Sequence, residues 1–357
     1  MSLNYEPRPE PDESPVVPFD RASRSRQGEP PVERAPSDHA CSVVIVSYKT
    51  GPVLLECLRS VLNQEPVRQV ILVDNGNSKG LLEEVGVIRA DDERLSIISG
   101  HGNVGFSTGC NLGAVAATSS NLLLLNPDCV IGKNVLAESL TVFDDDPDAW
   151  MVTVQIQNPD GTEQRGCRRN MLTPWTSLVE QFRLDRLAPD HPHFKRLNLN
   201  ETEQFEEITE VQCISGAFML MPKRIFDSLG GMDEDYFLHV EDIDFCMRIA
   251  KRGGRILYVP DITITHMRGT SRVHPGFVEW HKSVSVVKYF FKHFQPQYPR
   301  MLLRIVAAAI FVRYALRLMP ITLGWLAELT GLSKLVADDT PAMSTPEPVA
   351  RRRKVNP

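Results

Sequence analysis

The stretch Leu122-Leu123-Leu124-Leu125-Asn126-Pro127-Asp128-Cys129 decides how this chain is read. Its unbroken run of leucines has the pattern of a strand buried on both faces of a parallel sheet. Pro127 has no amide hydrogen to give to a ladder, so the strand has to stop before it. Asp128 then falls at the carboxyl end of a buried strand, where open α/β sheets bind their ligands. A carboxylate in that place can hold a hard divalent cation, which in turn can grip a diphosphate. It can equally do no more than cap a following helix, because Asn-Pro-Asp is ordinary turn chemistry.

Working back from this strand, the same grammar repeats. CSVVIVS (41–47) is β-branched and apolar, a buried strand followed by a loop at Tyr48-Lys49-Thr50-Gly51. Pro52 stands where a helix accepts proline, in its first turn. Val53, Leu54, Cys57, Leu58, Val61 and Leu62 then recur at helical spacing and make one apolar face. QVILVDNG (69–76) and LSIIS (95–99) are further strands, and GNVGFSTGCNLGAVAA (102–117) is a glycine-rich loop running into a helix. Short strands alternating with helices predict an α/β fold with a parallel, doubly wound sheet. Three strand ends then bring Ser47/Tyr48, Asp74/Asn75 and Asp128 to one edge, and a ligand crevice is the economical reason. No Gly-x-Gly-x-x-Gly follows the first strand and no Gly-x4-Gly-Lys-Ser/Thr loop exists, which argues against NAD enzymes and P-loop NTPases.

Composition narrows the class further. A net charge of −6 over 357 residues argues against general nucleic-acid binding. Seven scattered cysteines without a Cys-x-x-Cys pair suggest neither a zinc site nor a disulfide framework, but reduced cytosolic thiols. No apolar leader is visible, so the catalytic part is expected to face the cytoplasm. Residues 1–40 hold eight prolines among charged and small residues. They cannot bury enough surface to offset their ordering entropy, and disorder is expected there and in the tail 336–357.

Beyond the anchor strand, WMVTVQI (150–156) is a strand and Asn158-Pro159-Asp160-Gly161 a turn. Arg165, Arg168 and Arg169 follow; they can clamp an anion or be solvated surface residues. The segment DEDYFLHVEDID (233–244) is rich in carboxylates and leads into a helix with an Asp244–Arg248 pair at i,i+4. Acids in a first turn already complement the helix dipole. Yet Tyr236, Phe237 and Leu238 form an apolar lip that would half-bury Glu241 and Asp242, a setting suited to a general base. RILYVPDITITH (255–266) predicts a strand, a proline break and a second strand ending at His266. That histidine is either structural or the completion of a metal site begun by Asp128.

Taken in order, SVVIVSY (42–48), VDNG (73–76), GNVGFSTGCN (102–111), LLLLNPDC, CISGAFML (213–220), GGMDEDYFLHVEDIDFCMR (230–248) and VPDITITH (259–266) resemble glycosyltransferase family 2. Within the family the resemblance is to bacterial rhamnosyltransferases acting on polyprenyl-diphosphate-linked sugars. It implies a GT-A fold over residues 41–281, with a Rossmann-like nucleotide half and an acceptor half. It implies Ser47, Tyr48, Asp74, Asn75, Asn103, Gly105, Asn111, Asn126 and Asp128 as nucleotide contacts. Asp128 matches the last Asp of the family's Asp-x-Asp metal motif, whose first position is Asn126 here. His266 matches the second metal ligand, for Mg2+ or Mn2+. Asp242 matches the catalytic base, with Glu241 orienting the acceptor. Arg168, Arg169, Ser215 and Gly216 are implied at the acceptor or diphosphate. The Gln-x-x-Arg-Trp motif of processive synthases is absent, which implies addition of one sugar, and a single displacement by the acceptor hydroxyl would invert the configuration. The implied donor is dTDP-rhamnose, with UDP- or GDP-sugars as alternatives. A sugar-1-phosphate nucleotidyltransferase would want an Arg-containing glycine loop after the first strand. An inactive membrane scaffold stays open because of Asn126.

Residues 282–335 change character. Lys282, Lys288, Lys292, Arg300, Arg304, Arg313 and Arg317 interleave with apolar runs, and only eight uncharged residues stand between Arg304 and Arg313. About 20 would be needed to span a bilayer. The stretch is therefore expected to lie on an anionic membrane, as a peripheral protein on the inner face of the cell membrane. The alternative is that it packs on the catalytic domain or on a second copy in a homodimer. The basic run Arg351-Arg352-Arg353-Lys354 is read as a solvated tail or a weak lipid contact.

Overall fold

A computed structural model describes residues 39–182, 197–199, 205–271 and 273–329. The segments expected to be disordered lie outside the described residues, His39 and Ala40 excepted. The chain divides into two compact units, at residues 1–272 and 273–357.

The first unit begins as the sequence pattern demands. Strand β1 (Cys41–Ser47), helix α1 (Val53–Leu62), β2 (Val67–Asp74), α2 (Lys79–Asp91), β3 (Leu95–Ile98), α3 (Phe106–Ala116) and β4 (Asn121–Leu125) follow one another. Their strands pair in parallel in the order β3-β2-β1-β4. All seven residues of β1 and all five of β4 are buried, which explains their lack of alternation. Helix α3 lies unusually close to β1. A methyl group on Gly113 would stand 2.3 Å from a Val44 γ-carbon, and one on Gly109 2.7 Å from Val46. Only glycine permits that approach, and it fixes where the first turn of α3 meets the sheet edge.

After β4 come β5 (Cys129–Ile131), α4 (Val135–Asp145), β6 (Ala149–Gln157), β7 (Arg168–Arg169), α5 (Pro174–Phe182), β8 (Thr209–Glu210) and β9 (Cys213–Ile214). Strand β10 (Phe218–Pro222), helix α6 (Lys223–Ser228), helix α7 (Glu241–Lys251) and strand β11 (Arg255–His266) complete the unit. The sheet continues β4-β10-β6-β11-β5, and here the expectation of an all-parallel sheet fails. Strand β10 runs antiparallel to both β4 and β6, and β5 antiparallel to β11. An apolar run such as Phe218-Met219-Leu220-Met221 reads the same whichever way it points, so the sequence carried no sign of direction. The fold is therefore a mixed α/β sheet.

Two local readings also change. Asp128 is followed by β5 and not by a helix, which removes the helix-cap alternative. Residues 255–266 form one strand, not two. Pro260 sits in a bulge where pairing with β6 slips between Val259 and Thr263, a place where the missing amide costs no ladder bond.

The second unit consists of α8 (Pro275–Phe294) and α9 (Arg300–Leu329), which pack on each other through Trp280 against Phe311 and Tyr314. Pro320 lies inside α9 without ending it. Among the described residues no helix is long and apolar enough to cross a membrane.

Candidate active site

Three parallel strands deliver their polar ends to one edge of the sheet. At the end of β1, buried Ser47 Oγ lies 2.9 Å from Thr50 Oγ1. At the end of β2, Asp74 Oδ1 accepts from the amides of Gly76 (3.1 Å) and Asn77 (2.8 Å) and from Asn77 Nδ2 (2.8 Å). Asp74 Oδ2 takes no part in these bonds. Asn75 Nδ2 donates to the Gly105 carbonyl at 2.9 Å, and the Asn75 side chain also meets His101 Nε2 at 3.0 Å. The Tyr48 ring lies over Gly76, where a methyl group would come within 3.3 Å. Asn103 Oδ1 accepts from the Gly105 amide at 3.2 Å and so shapes the turn into α3. Ser47, Tyr48, Asp74, Asn75, Asn103 and Gly105 thus converge. Thr50 and Asn77, which brace them, were not foreseen; only the turn chemistry of Asn77 could have flagged one of them.

Asn111 is placed otherwise. Its Nδ2 donates to the Met232 carbonyl (2.9 Å) and Glu234 Oε1 (2.8 Å), and its Oδ1 accepts from the Met232 amide (2.8 Å). It clamps α3 to the loop ahead of α7. Gly105 serves the same junction, with φ of 86° and its Cβ direction blocked by the Phe237 carbonyl at 2.6 Å.

The antiparallel pairing of β11 with β5 sets His266 opposite Cys129, next to Asp128. His266 Nε2 lies 2.9 Å from Asp128 Oδ1 and 3.4 Å from Asn126 Nδ2. Its other nitrogen, Nδ1, is 2.7 Å from Gln164 Oε1, and Thr270 Oγ1 donates to Asp128 Oδ2 at 2.9 Å. Burial pushes the Asp128 carboxyl up, but His266 and Thr270 outweigh it and hold the group below the ordinary carboxylate range. Asp128, Cys129 and His266 bring ligand atoms within 4.8 Å of one another, a group that could hold a metal ion. A carboxylate and an imidazole, the latter fixed from behind by a hydrogen-bonded amide, suit a divalent cation. The Cys129 thiol points at the Ala217 carbonyl instead, at 3.6 Å. Gln164 and Thr270 have no signature that a sequence could show.

Helix α7 opens on the carboxylates. The two residues before it are strained: His239 has φ of 66° and Val240, β-branched and buried, 74°. For a β-branched residue this is a true outlier of the kind found at functional sites. Asp242 Oδ1 accepts from the Ile243 amide at 2.8 Å, and Oδ2 from the Gly216 amide at 3.0 Å and Arg169 Nη2 at 2.6 Å. Ser215 precedes Gly216 in the same loop, its Oγ 3.3 Å from the Ala217 amide. The two adjacent arginines separate across strand β7. Arg169 reaches Asp242, whereas Arg168 bonds Glu163 through Nε (2.8 Å) and Nη2 (3.0 Å) and lies over the rings of Phe205 and Tyr258. Arg168 is thus buried away from Asp242.

Glu241 is buried, and its Oε2 has no hydrogen-bond partner among the described residues. Burial, assisted by the neighbouring charge of Asp242, pushes its carboxyl up to about 8. The folded chain therefore keeps a proton that the unfolded chain has lost, and stability falls as pH rises through that window. Glu241→Gln should remove this loss. Melting curves from about pH 5 to about pH 9 should show the variant gaining on the wild type as pH rises; parallel curves would mean that Glu241 is already ionised when folded.

The comparisons with known proteins agree with this geometry. N-acetylglucosaminyl-diphospho-decaprenol L-rhamnosyltransferase of Mycobacterium tuberculosis is 28% identical over 243 residues, 64% of this chain and 76% of its own. Rhamnosyltransferase WbbL of Escherichia coli is 36% identical over a shorter 74 residues, 20% of this chain and 28% of its own. Among solved structures, GalNAc-T7 with UDP, GalNAc and Mn2+ superposes with a TM-score of 0.52 at 18% identity, over 70% of this chain and 47% of that one. This last likeness concerns the fold alone, which is GT-A. The model of a glycosyltransferase like family 2 matches residues 39–282, spanning the strand ends, the Asp128–His266 pair and the opening of α7. The chain belongs to glycosyltransferase family 2.

Proposed function

We propose that this glycosyltransferase moves one sugar, L-rhamnose from dTDP-rhamnose, onto a polyprenyl-diphosphate-linked sugar with inversion, in cell-envelope glycan synthesis. One observation carries the mechanism. The Gly216 amide holds Asp242 at 3.0 Å, and the next residue, Ala217, accepts the Asn126 amide at 3.0 Å. Two consecutive residues thus tie the candidate base to the loop that bears Asp128. Consecutive Cα atoms are about 3.8 Å apart, so base and metal loop share one frame.

Asp74, Asn75 and Ser47 would receive the nucleoside, and Asp128 with His266 would hold Mg2+ or Mn2+. Such an ion, when bound, neutralises charge developing on the diphosphate. Asp242, aimed by Arg169, Gly216 and Ile243, takes the proton from the acceptor hydroxyl as that oxygen attacks the anomeric carbon from the face opposite the leaving group. A single displacement inverts the configuration. The rhamnosyl donor and lipid-linked acceptor are supported by the names of the mycobacterial and Escherichia coli relatives. A membrane-held acceptor puts the enzyme at the inner face of the cell membrane, where seven buried free thiols suit a reducing compartment.

Thermal stability with dTDP, UDP and GDP, each with Mn2+ or Mg2+ and again with chelator, tests this. A ligand at about a hundred times its dissociation constant adds about 2.7 kcal/mol. A metal-dependent rise with dTDP alone is the expected result. A preference for UDP or GDP would move the donor, and no rise with any nucleotide would point to an inactive scaffold.

A further inference from the structure

Helix α9 carries two apolar faces. One, with Leu303, Val306 and Ile310, is buried. The other recurs at Met301, Ile305, Val312, Leu316 and Met319, a spacing that keeps all five on one side of a helix. These five are between 57% and 75% exposed. So much contiguous apolar surface on one face marks an interaction site.

The charges around the stripe say what covers it. At 100° per residue, Arg300 and Arg304 fall along one edge and Arg313 along the other, whereas Arg317 falls on the buried side and meets Glu279 Oε1 at 3.3 Å. Residues 275–329 hold seven Lys and Arg against Glu279 and Glu328, in a chain whose net charge is −6. The segment is thus net positive because its acids are few, in a chain that is negative as a whole. A second copy docked face to face would bring arginine edges together, and like charges across an interface are costly. Lipid phosphates would instead take the arginines while the stripe enters the acyl boundary, the long stems letting the guanidinium groups reach the headgroups.

We propose that the face of α9 formed by Met301, Ile305, Val312, Leu316 and Met319 lies in the plane of an anionic membrane, with Arg300, Arg304 and Arg313 on its phosphates. The proposal shares with the proposed function the premise of a membrane-held acceptor. The exposed stripe and its arginines owe nothing to nucleotide chemistry, so the two can fail separately.

The test is co-sedimentation of the full chain with vesicles of phosphatidylcholine alone or mixed with phosphatidylglycerol. Wild type should pellet with the anionic vesicles and be released by salt. Ile305→Gln with Leu316→Gln, which alters no charge, should weaken binding roughly tenfold or more, since two apolar side chains no longer enter the acyl boundary. Ile305→Leu with Leu316→Ile should bind as wild type does, and the glutamine pair should keep the wild-type nucleotide shift. Undiminished binding by the glutamine pair would assign the membrane contact to the tail at 351–354 and overturn the proposal. So would a wild type that ignores anionic vesicles, or a concentration-dependent dimer that the glutamine pair dissolves.

Discussion

Asp242→Asn is expected to abolish sugar transfer while nucleotide binding changes by no more than about twofold. The amide is isosteric and can still accept from Gly216 and Arg169, so the opening of α7 should keep its shape. What it cannot do is carry away the proton of the attacking hydroxyl. General-base catalysis contributes about a hundred- to ten-thousandfold, and a loss of that size in turnover is the prediction. The companion measurement is the metal-dependent thermal shift, which reports the other half of the site. Turnover at the wild-type level would remove Asp242 as the base. The Arg169 contact explains why truncation to alanine would be the poorer experiment. It would leave a guanidinium whose Nε already lacks a partner among the described residues facing an empty place, and breaking a buried ion pair costs about 3–5 kcal/mol, less for this pair, whose side chains are still 15% and 13% exposed.

Asp128→Ala should have the second large effect, on binding and not on chemistry alone. It removes the carboxylate that faces His266 at 2.9 Å and leaves the imidazole held by Gln164 with Asn126 at 3.4 Å. Asn126 is the position where an Asp-x-Asp motif would offer another carboxylate, so little remains to hold a cation. Nucleotide affinity in the presence of Mn2+ should fall by at least roughly a hundredfold, beyond the 10–100-fold typical of losing a supporting partner alone. In chelator the variant and wild type should bind alike. Titration of dTDP under both conditions decides it; a variant as tight as wild type with Mn2+ would place the cation, and the diphosphate, elsewhere.

The first half of the fold was readable because its signals are local. Apolar runs such as 122–125 and the helical spacing of residues 53–62 need no partner to be recognised, and Pro127 marks where the strand must end. The second half rests on pairings between distant residues. Strand β10 inserts against β4 from nearly a hundred residues on, and no periodicity announces the direction in which a buried strand will run. The site divides in the same way. Ser47, Asp74 and Asp128 were visible as polar ends of apolar strands. Arg169 was visible only as one of an arginine cluster. Alternation along a strand implies that two adjacent arginines face opposite ways, so Arg168 and Arg169 could not share a role; which one meets Asp242, 73 residues away, is settled by the fold. Gln164 and Thr270 become meaningful only once β11 sets His266 beside Asp128.

The left-handed pair at His239 and Val240 bears on how this protein could be changed in the laboratory. A valine held at φ of 74° sits about 1–2 kcal/mol above a relaxed conformation, a reservoir that glycine or asparagine would release. A library screened only for survival of heating would drift toward such residues at position 240. The hardened proteins would then begin α7 on a looser hinge, with Glu241 and Asp242 no longer held to one bearing. Robustness and turnover pull in opposite directions at this one peptide, and a screen that reads only the first will quietly discard the second.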